Sequence, residues 1–399
     1  MAVPERVVRV AVVHNSYQQG GGEDVVVQNE VDVLSRARLR VDLYTTDNDR
    51  VGDHNPLALA IKTIWNRSEF RLLTRWLSQR RPQVVHVHNT LPLISPAVYS
   101  AAHATGAAVV QTLHNFRFLC PSATLYRDGM PCELCVGKAV PWPGVLHACY
   151  RGSRAATSAV AAMLVAHRIR GTYRHEVDHY IALTDFAKET FVRGGLPGER
   201  ITVKPNSVAD AGTSPYEPAA AMLTVGRLSD EKGIHVLADA WRRNAGPLPL
   251  RVVGDGPMRP LVDALGRDVP SVTVLGRMSF EDVQKEYRSA SALVFPSTCY
   301  ESLPMTIVEA YAAGLPVIAS RLGAMAEVVH DGRTGLHFDP GDPDDLARKV
   351  AWFRAHPDEA CRMSVEARRE YELRYTPERN LEQLLAIYET AIERFRSAR

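Results

Sequence analysis

An α/β fold of two Rossmann-like parallel-sheet domains facing each other across a cleft is what this sequence predicts, on three observations. Apolar runs VRVAVV, VVHVH, AAVVQTL and HYIAL alternate with helix-compatible segments through the first half, as in a parallel sheet covered on both faces. A Pro-, Ser- and Ala-rich stretch, KPNSVADAGTSPYEPAA, interrupts the alternation. It then restarts with AMLTVGRL, LRVVGDG, VTVLG, ALVF and PVIAS. The expected division is an N-terminal domain over 1–205 with a cysteine-rich insertion at 117–152, a linker over 206–220, a C-terminal domain over 221–375 and a last helix over 376–399. A chain of 399 residues, 46% hydrophobic and 23% charged, suits two soluble domains. Forty-seven basic against 45 acidic residues leave a net charge of only +2, so the global field gives no reason to expect a nucleic-acid partner.

The opening, MAVPERVVRVAVV, runs straight into a strand without the pattern of a signal peptide, so a cytoplasmic location is expected. After this strand, NSYQQGGGED precedes the helix VVVQNEVDVLSR. Gly20, Gly21 and Gly22 allow backbone to approach a ligand at a helix start, while Glu23 and Asp24 read as capping residues. A helix over IKTIWNRSEFRLLTRWLSQRR would put Ile61, Trp65, Leu72 and Trp76 on one stripe and Arg67, Arg71 and Arg75 on another. That pattern fits a core face with a solvated face, and it could also touch anionic lipid or a lipid-linked acceptor. His86 and His88 alternate on one strand and read as packed histidines with satisfied hydrogen bonds. His114 ends the strand AAVVQTL, where an imidazole could bond a ligand hydroxyl or a developing charge. Cys120, Cys132, Cys135 and Cys149 fall within thirty residues, the middle two as CELC. Their spacing supports a structural zinc stapling the insertion, and equally four buried thiols without metal. The Ala-rich run from Ala155 to Ala166 is too short to span a bilayer.

In the second half, GRLSDEKG follows the strand AMLTV, and its Arg227 and Lys232 can reach one anion, the first as a planar fork and the second as a mobile point charge. Glu301 and Glu309, separated by seven residues in CYESLPMTIVEAYAAG, fall in a loop after the strand ALVF and two turns into the next helix. The first-turn amides of that helix lie between them and suit a diphosphate. Thr376 and Pro377 open a final helix with Leu381, Leu384, Leu385, Tyr388, Ile392 and Phe395 on one stripe. That stripe needs a partner, and a homodimer contact is one candidate.

The motifs GGGEDVVVQNE, HVHN, TLHNF, KPNSV, GRLSDEKG, VVGDGP and the glutamate pair, in this order and at these distances, resemble the GT-B glycosyltransferases, specifically the large retaining group called family 4. The resemblance spans nearly the whole chain. It implies a nucleoside-diphosphate sugar donor, a hydroxyl acceptor, retention of anomeric configuration and no cofactor needed for catalysis. By the same resemblance Arg227 and Lys232 hold the diphosphate, Glu309 the ribose hydroxyls and Glu301 the transferred sugar, with His114 beside the reacting centre. Gly21 and Gly22 fall near the donor, Ser302, Leu303, Met305 and Thr306 complete its loop, and the last helix crosses back onto the first domain. Ser207 replaces the usual glycine of the PNG turn, and Pro304 removes one backbone donor near the phosphate. A GT-B epimerase, a phosphorylase and a non-catalytic nucleotide-sugar-binding protein are the alternatives.

Overall fold

The computed structural model describes residues 7, 9–16, 21–48, 55–210, 212–217, 220–243 and 248–398. They form two compact units, the first comprising Met1–Leu125, Glu133–Asn206 and Asn380–Arg399, the second Tyr126–Cys132 and Ser207–Arg379.

The first unit is built on six parallel strands in the order β2-β1-β3-β4-β7-β8, with β1 at Arg9–Ser16, β2 at Arg40–Asp47, β3 at Val84–Val87, β4 at Ala108–Thr112, β7 at His179–Ala182 and β8 at Ile201–Val203. The central strands β3, β4 and β7 are buried at every position, which is why they read as continuous apolar runs. Helices α1 (Gly22–Arg36), α2 (Pro56–Ile64), α3 (Arg67–Arg80), α4 (Ala97–Ala104), α5 (Trp142–Leu146), α6 (Arg154–Arg170), α7 (Thr172–His175) and α8 (Asp185–Arg193) belong to this unit.

The single helix expected over residues 61–81 is two. Trp65 is extended, and the Asn66 side chain caps α3 by accepting from the Glu69 amide at 3.2 Å while its amide donates to the Leu93 carbonyl at 2.6 Å. The break turns the helix, so the inward face of α3 is Glu69, Leu73 and Leu77, whereas Ile61 and Leu72 are exposed. Glu69 is tolerated inside because the Tyr44 hydroxyl donates to it.

The second unit repeats the plan with the order β11-β10-β9-β12-β13-β14, all parallel, where β9 is Met222–Val225, β10 Leu250–Val253, β11 Val272–Gly276, β12 Ala292–Phe295, β13 Val317–Ser320 and β14 Gly335–Phe338. Its helices are α9 (Ile234–Arg243), α10 (Arg259–Asp268), α11 (Phe280–Arg288), α12 (Met305–Ala312), α13 (Ala324–Val328), α14 (Pro343–Ala355) and α15 (Pro357–Arg374). In α9, Ile234, Leu237, Ala238 and Trp241 form an i, i+3, i+4, i+7 stripe buried against Leu250, Val252 and Ile318 of the sheet. The Trp241 indole keeps its hydrogen bond, donating to the Leu248 carbonyl at 2.9 Å. A two-stranded hairpin, β5 (Tyr126–Arg127) with β6 (Met130–Pro131), also belongs to this unit, although the insertion that contains it was expected to lie wholly in the N-terminal domain.

The last helix, α16 (Pro377–Ser397), falls from Asn380 onward in the first unit. Its stripe is spent there: the Tyr388 ring packs edge-on against His86, and the Phe395 ring lies 5.0 Å from that of His103.

Candidate functional site

In the second unit, β9 begins a right-hand run to β10 and β11, while β12 starts the opposite edge through β13 and β14. Neighbouring β9 and β12, paired through Met222 with Ala292 and Leu223 with Leu293, are therefore the strands at which the order reverses. Loops at the carboxyl ends of two such strands diverge and leave room for a ligand. GRLSDEKG leaves β9 there, and the loop carrying Glu301 leaves β12.

The two loops are locked together. Gly233, at φ +69°, ends a short 3-10 turn over Asp230–Lys232, and a Cβ on it would lie 1.9 Å from the Pro296 carbonyl oxygen. The Thr298 amide donates to the Glu231 carbonyl at 3.0 Å, and the Ser297 hydroxyl to the same oxygen at 3.2 Å. This brings Lys232 to Glu301, with Nζ 2.5 Å from Oε1, and the Ser297 hydroxyl, whose proton is shared between the Glu231 carbonyl and this carboxylate, lies 3.1 Å from the same oxygen. Burial, the largest single influence, lowers the Lys232 pKa, but Glu301, Cys299 and Glu231 together outweigh it and the net shift is upward, so the ammonium stays charged. Lys232 is nevertheless 30% exposed and can meet an incoming anion.

Arg227 is exposed and its side chain has no ion pair or hydrogen bond among the described residues. Glu309 is held from another side: the Tyr287 hydroxyl donates to its Oε2 at 2.9 Å, and burial raises its pKa. Helix α12 starts after Pro304, whose carbonyl accepts from Ile307 at 2.9 Å and from Val308 at 3.4 Å. Met305 and Thr306 occupy the positions whose amides precede the intrahelical ladder, and both are partly exposed, whereas Ser302 and Leu303 are buried.

Tyr126, Ser297, Thr298 and Tyr287 were not singled out from the sequence. Ser297 and Thr298 directly follow β12, and polar residues just past a buried strand are a usable signal. Tyr126 has none: it donates to Asp230 Oδ2 at 2.8 Å across 104 residues of chain, and burial pushes its phenol up to about 12.

In the first unit, Gly21 and Gly22 precede and open α1, and the Gly21 amide donates to Asp24 Oδ2 at 2.8 Å, so Asp24 closes the helix start. Gly20 lies outside the described residues. His114 Nε2 is 2.8 Å from His88 Nδ1, and burial, then the neighbouring His88, hold its pKa well below the ordinary imidazole value. It is partly exposed in a cleft of about 30 Å³ shared with Asn89, Thr90, Asn115 and Arg117. A neutral imidazole there can donate or accept one hydrogen bond.

Behind it lies a buried charge cluster. His86 bonds Thr112 Oγ1 and the Tyr388 hydroxyl, each at 2.8 Å, and its Nδ1 is 2.7 Å from Glu30, which also faces Lys204 Nζ at 3.6 Å. Glu30, His86 and His88 are the group of metal-capable atoms that lies within 4.8 Å among the described residues. Lys204 occupies the space beside Glu30 and already supplies a positive charge, so the cluster fits packing better than an ion.

The cysteines form no three-residue metal-capable group among the described residues. None of the six forms a disulfide, and Cys120, Cys135 and Cys149 of the first unit do not bring their sulfurs within 4.8 Å of one another. Zn–S bonds of about 2.3 Å would hold them closer than that. Cys132 belongs to the hairpin of the second unit, and Cys135 points its thiol toward the Pro141 carbonyl at 3.9 Å.

Residues 20–211 match the family model for glycosyltransferase family 4, and residues 219–355 match that for glycosyl transferases group 1. The chain belongs to these glycosyltransferases. It is 34% identical over 130 residues to an uncharacterized glycosyltransferase of Methanocaldococcus jannaschii, covering 32% of this chain and 36% of that protein. It is 28% identical over 242 residues to glycogen synthase of Mycobacterium tuberculosis, covering 57% and 58%. The glycosyltransferase thus spans between about a third and somewhat over half of the length of these curated relatives. Among solved structures, it resembles sucrose-phosphate synthase of Thermosynechococcus elongatus with a TM-score of 0.69 at 18% identity, covering 96% of this chain and 98% of that one. Anabaena HepE in complex with UDP gives 0.66 at 17% identity, covering 94% and 98%. These likenesses fix the fold as GT-B.

Proposed function

We propose that this glycosyltransferase moves a sugar from a nucleoside diphosphate to an acceptor hydroxyl with retention of configuration. The observation that carries the reading is the Lys232–Glu301 pair at the reversal of strand order, with exposed Arg227 on the same loop. Lys232 and Arg227 neutralise the diphosphate, and the α12 amides of Met305 and Thr306 add donors at a helix start. Glu301, held by Lys232 and Ser297, bonds the transferred sugar, and Glu309 accepts from the ribose hydroxyls. The glycosidic bond to the leaving phosphate oxygen breaks, the acceptor oxygen attacks the same face, and its proton passes to that phosphate oxygen. No carboxylate nucleophile is required. His114 in the first unit, neutral at physiological pH, takes a hydrogen bond to a sugar hydroxyl.

A structural neighbour bound to UDP-glucose makes UDP-sugars the first donors to test. Thermal stabilisation by UDP-, GDP-, ADP- and TDP-sugars, followed by transfer to candidate acceptors and NMR of the new anomeric centre, tests the proposal. Inversion, or donor consumption that requires inorganic phosphate or no acceptor, refutes it.

A further inference from the structure

Helix α2 is apolar along nearly its whole length, PLALAIKTI, and while Leu59, Ala60 and Ile64 are half-buried, its Leu57 and Ile61 are left in the open. Its buried residue is Thr63, while Leu57 is 71% and Ile61 59% exposed, one turn apart on the same face. A helix with no further partner would turn Leu57 and Ile61 inward and a polar residue such as Thr63 outward. Beside it, between α2 and α6, lies a cavity of about 460 Å³. Leu57, Leu59 and Ala60 line one wall and Ala156, Ala159 and Val160 the other, with Leu91 and Pro92 between. The small side chains of α6 leave this space, and its volume is in the range that holds an organic ligand.

The cavity's charge is one-sided. Arg151 is the charged residue in its lining, and Arg154 opens α6 three residues later. Both are exposed, and neither has a carboxylate partner among the described residues. The first turn of α6 holds no acid, so the positive end of a 17-residue helix adds to the two guanidiniums. The Arg151 guanidinium is further placed by the Tyr150 ring, 5.4 Å away. An apolar cavity next to unpaired cations at a helix start complements a hydrocarbon chain ending in an anion. The arginines of α3, Arg67, Arg71 and Arg75, are exposed along a separate helix and do not line the cavity.

We propose that this face docks the protein on an anionic bilayer, one acyl chain of a phospholipid entering the α2–α6 cavity and its phosphate meeting Arg151 and Arg154. Apolar burial and cation attraction then act together, as peripheral binding requires. No helix among the described residues is long and apolar enough to cross a membrane.

The test is sedimentation of the full chain with phosphatidylglycerol-containing vesicles and with pure phosphatidylcholine vesicles. Partition onto the anionic vesicles is expected to exceed that onto neutral ones by about tenfold or more, and to fall by a similar factor in R151E/R154E. Ala159→Trp, which fills the cavity, should weaken binding comparably while UDP-sugar stabilisation is unchanged. Should that variant fold poorly, Leu57→Trp supplies an independent reading, its fluorescence being quenched by acyl-brominated lipid. Equal binding to both vesicle types, binding untouched by the arginine changes, or absence of quenching overturns the proposal. So does saturable binding of a detergent-solubilised lipid-linked phosphate without vesicle binding, which would make the cavity an acceptor-tail site.

Discussion

Gly233→Ala isolates the contact that couples the two donor loops. At φ +69° an alanine costs about 1–2 kcal/mol from its backbone conformation alone. Its Cβ would also sit 1.9 Å from the Pro296 carbonyl oxygen and 2.7 Å from the carbonyl carbon. These atoms are backbone at the end of a buried strand and cannot rotate away, so an overpacking cost of about 1–3 kcal/mol is added. Gly332 is the control: its φ is +74°, but nothing lies within 4 Å of the Cβ position, so Gly332→Ala carries only the conformational cost. The gain from a stiffer unfolded chain is the same for both and cancels. Gly233→Ala should therefore lose about 2–5 kcal/mol and Gly332→Ala about 1–2 kcal/mol. At about 2–4 °C per kcal/mol, the first variant melts roughly 4–20 °C lower than the wild type. Because Pro296 leads into Ser297, which donates to Glu301, weaker donor stabilisation should accompany the loss in Gly233→Ala and be absent in Gly332→Ala. Denaturant unfolding of both variants decides it. Unfolding free energies that agree within about 0.5 kcal/mol would refute the clash argument.

Further outcomes follow from the same geometry. Lys232→Ala should lower turnover by about 10²–10³-fold with a cooperative unfolding transition retained, and unchanged turnover in a transfer assay would sink its assignment. Tyr287→Phe removes the donor to Glu309 and should raise the donor KM by roughly tenfold with kcat little altered; a pure kcat effect would place Glu309 elsewhere in the reaction. Burial, then His86, holds His88 near a pKa of about 4, and burial, then Arg394, holds His179 near the same value, against an ordinary 6.5. The unfolded chain therefore binds more protons below pH 6.5, so stability is full above that pH and is lost toward pH 4. Denaturation midpoints should fall across this window, and His88→Gln should flatten the slope; an unaltered slope contradicts the burial argument. Addition of zinc to chelator-treated protein should leave its melting temperature unchanged, since the first unit's sulfurs are not gathered; a stoichiometric zinc with a raised melting temperature would show that the insertion closes around the ion.

What the chain determined by itself is whatever depends on neighbours in sequence. Continuous apolar runs interrupted by a Pro- and Ser-rich stretch specify two parallel sheets, and GRLSDEKG with the Glu301–Glu309 spacing marks the two loops that leave β9 and β12. Local text misjudged Asn66, because a helix interior and a cap look alike until the Leu93 carbonyl claims the side chain. Local text also leaves the cysteines open between a structural zinc and unmetallated thiols, since spacing cannot report whether sulfurs converge. Tertiary structure alone decided which polar groups meet: Tyr287 with Glu309, Tyr126 with Asp230, and Glu30 with Lys204 across 174 residues. Such contacts leave no periodic trace, because each is one pair fixed by strand order and burial, where an unsatisfied charge would be costly.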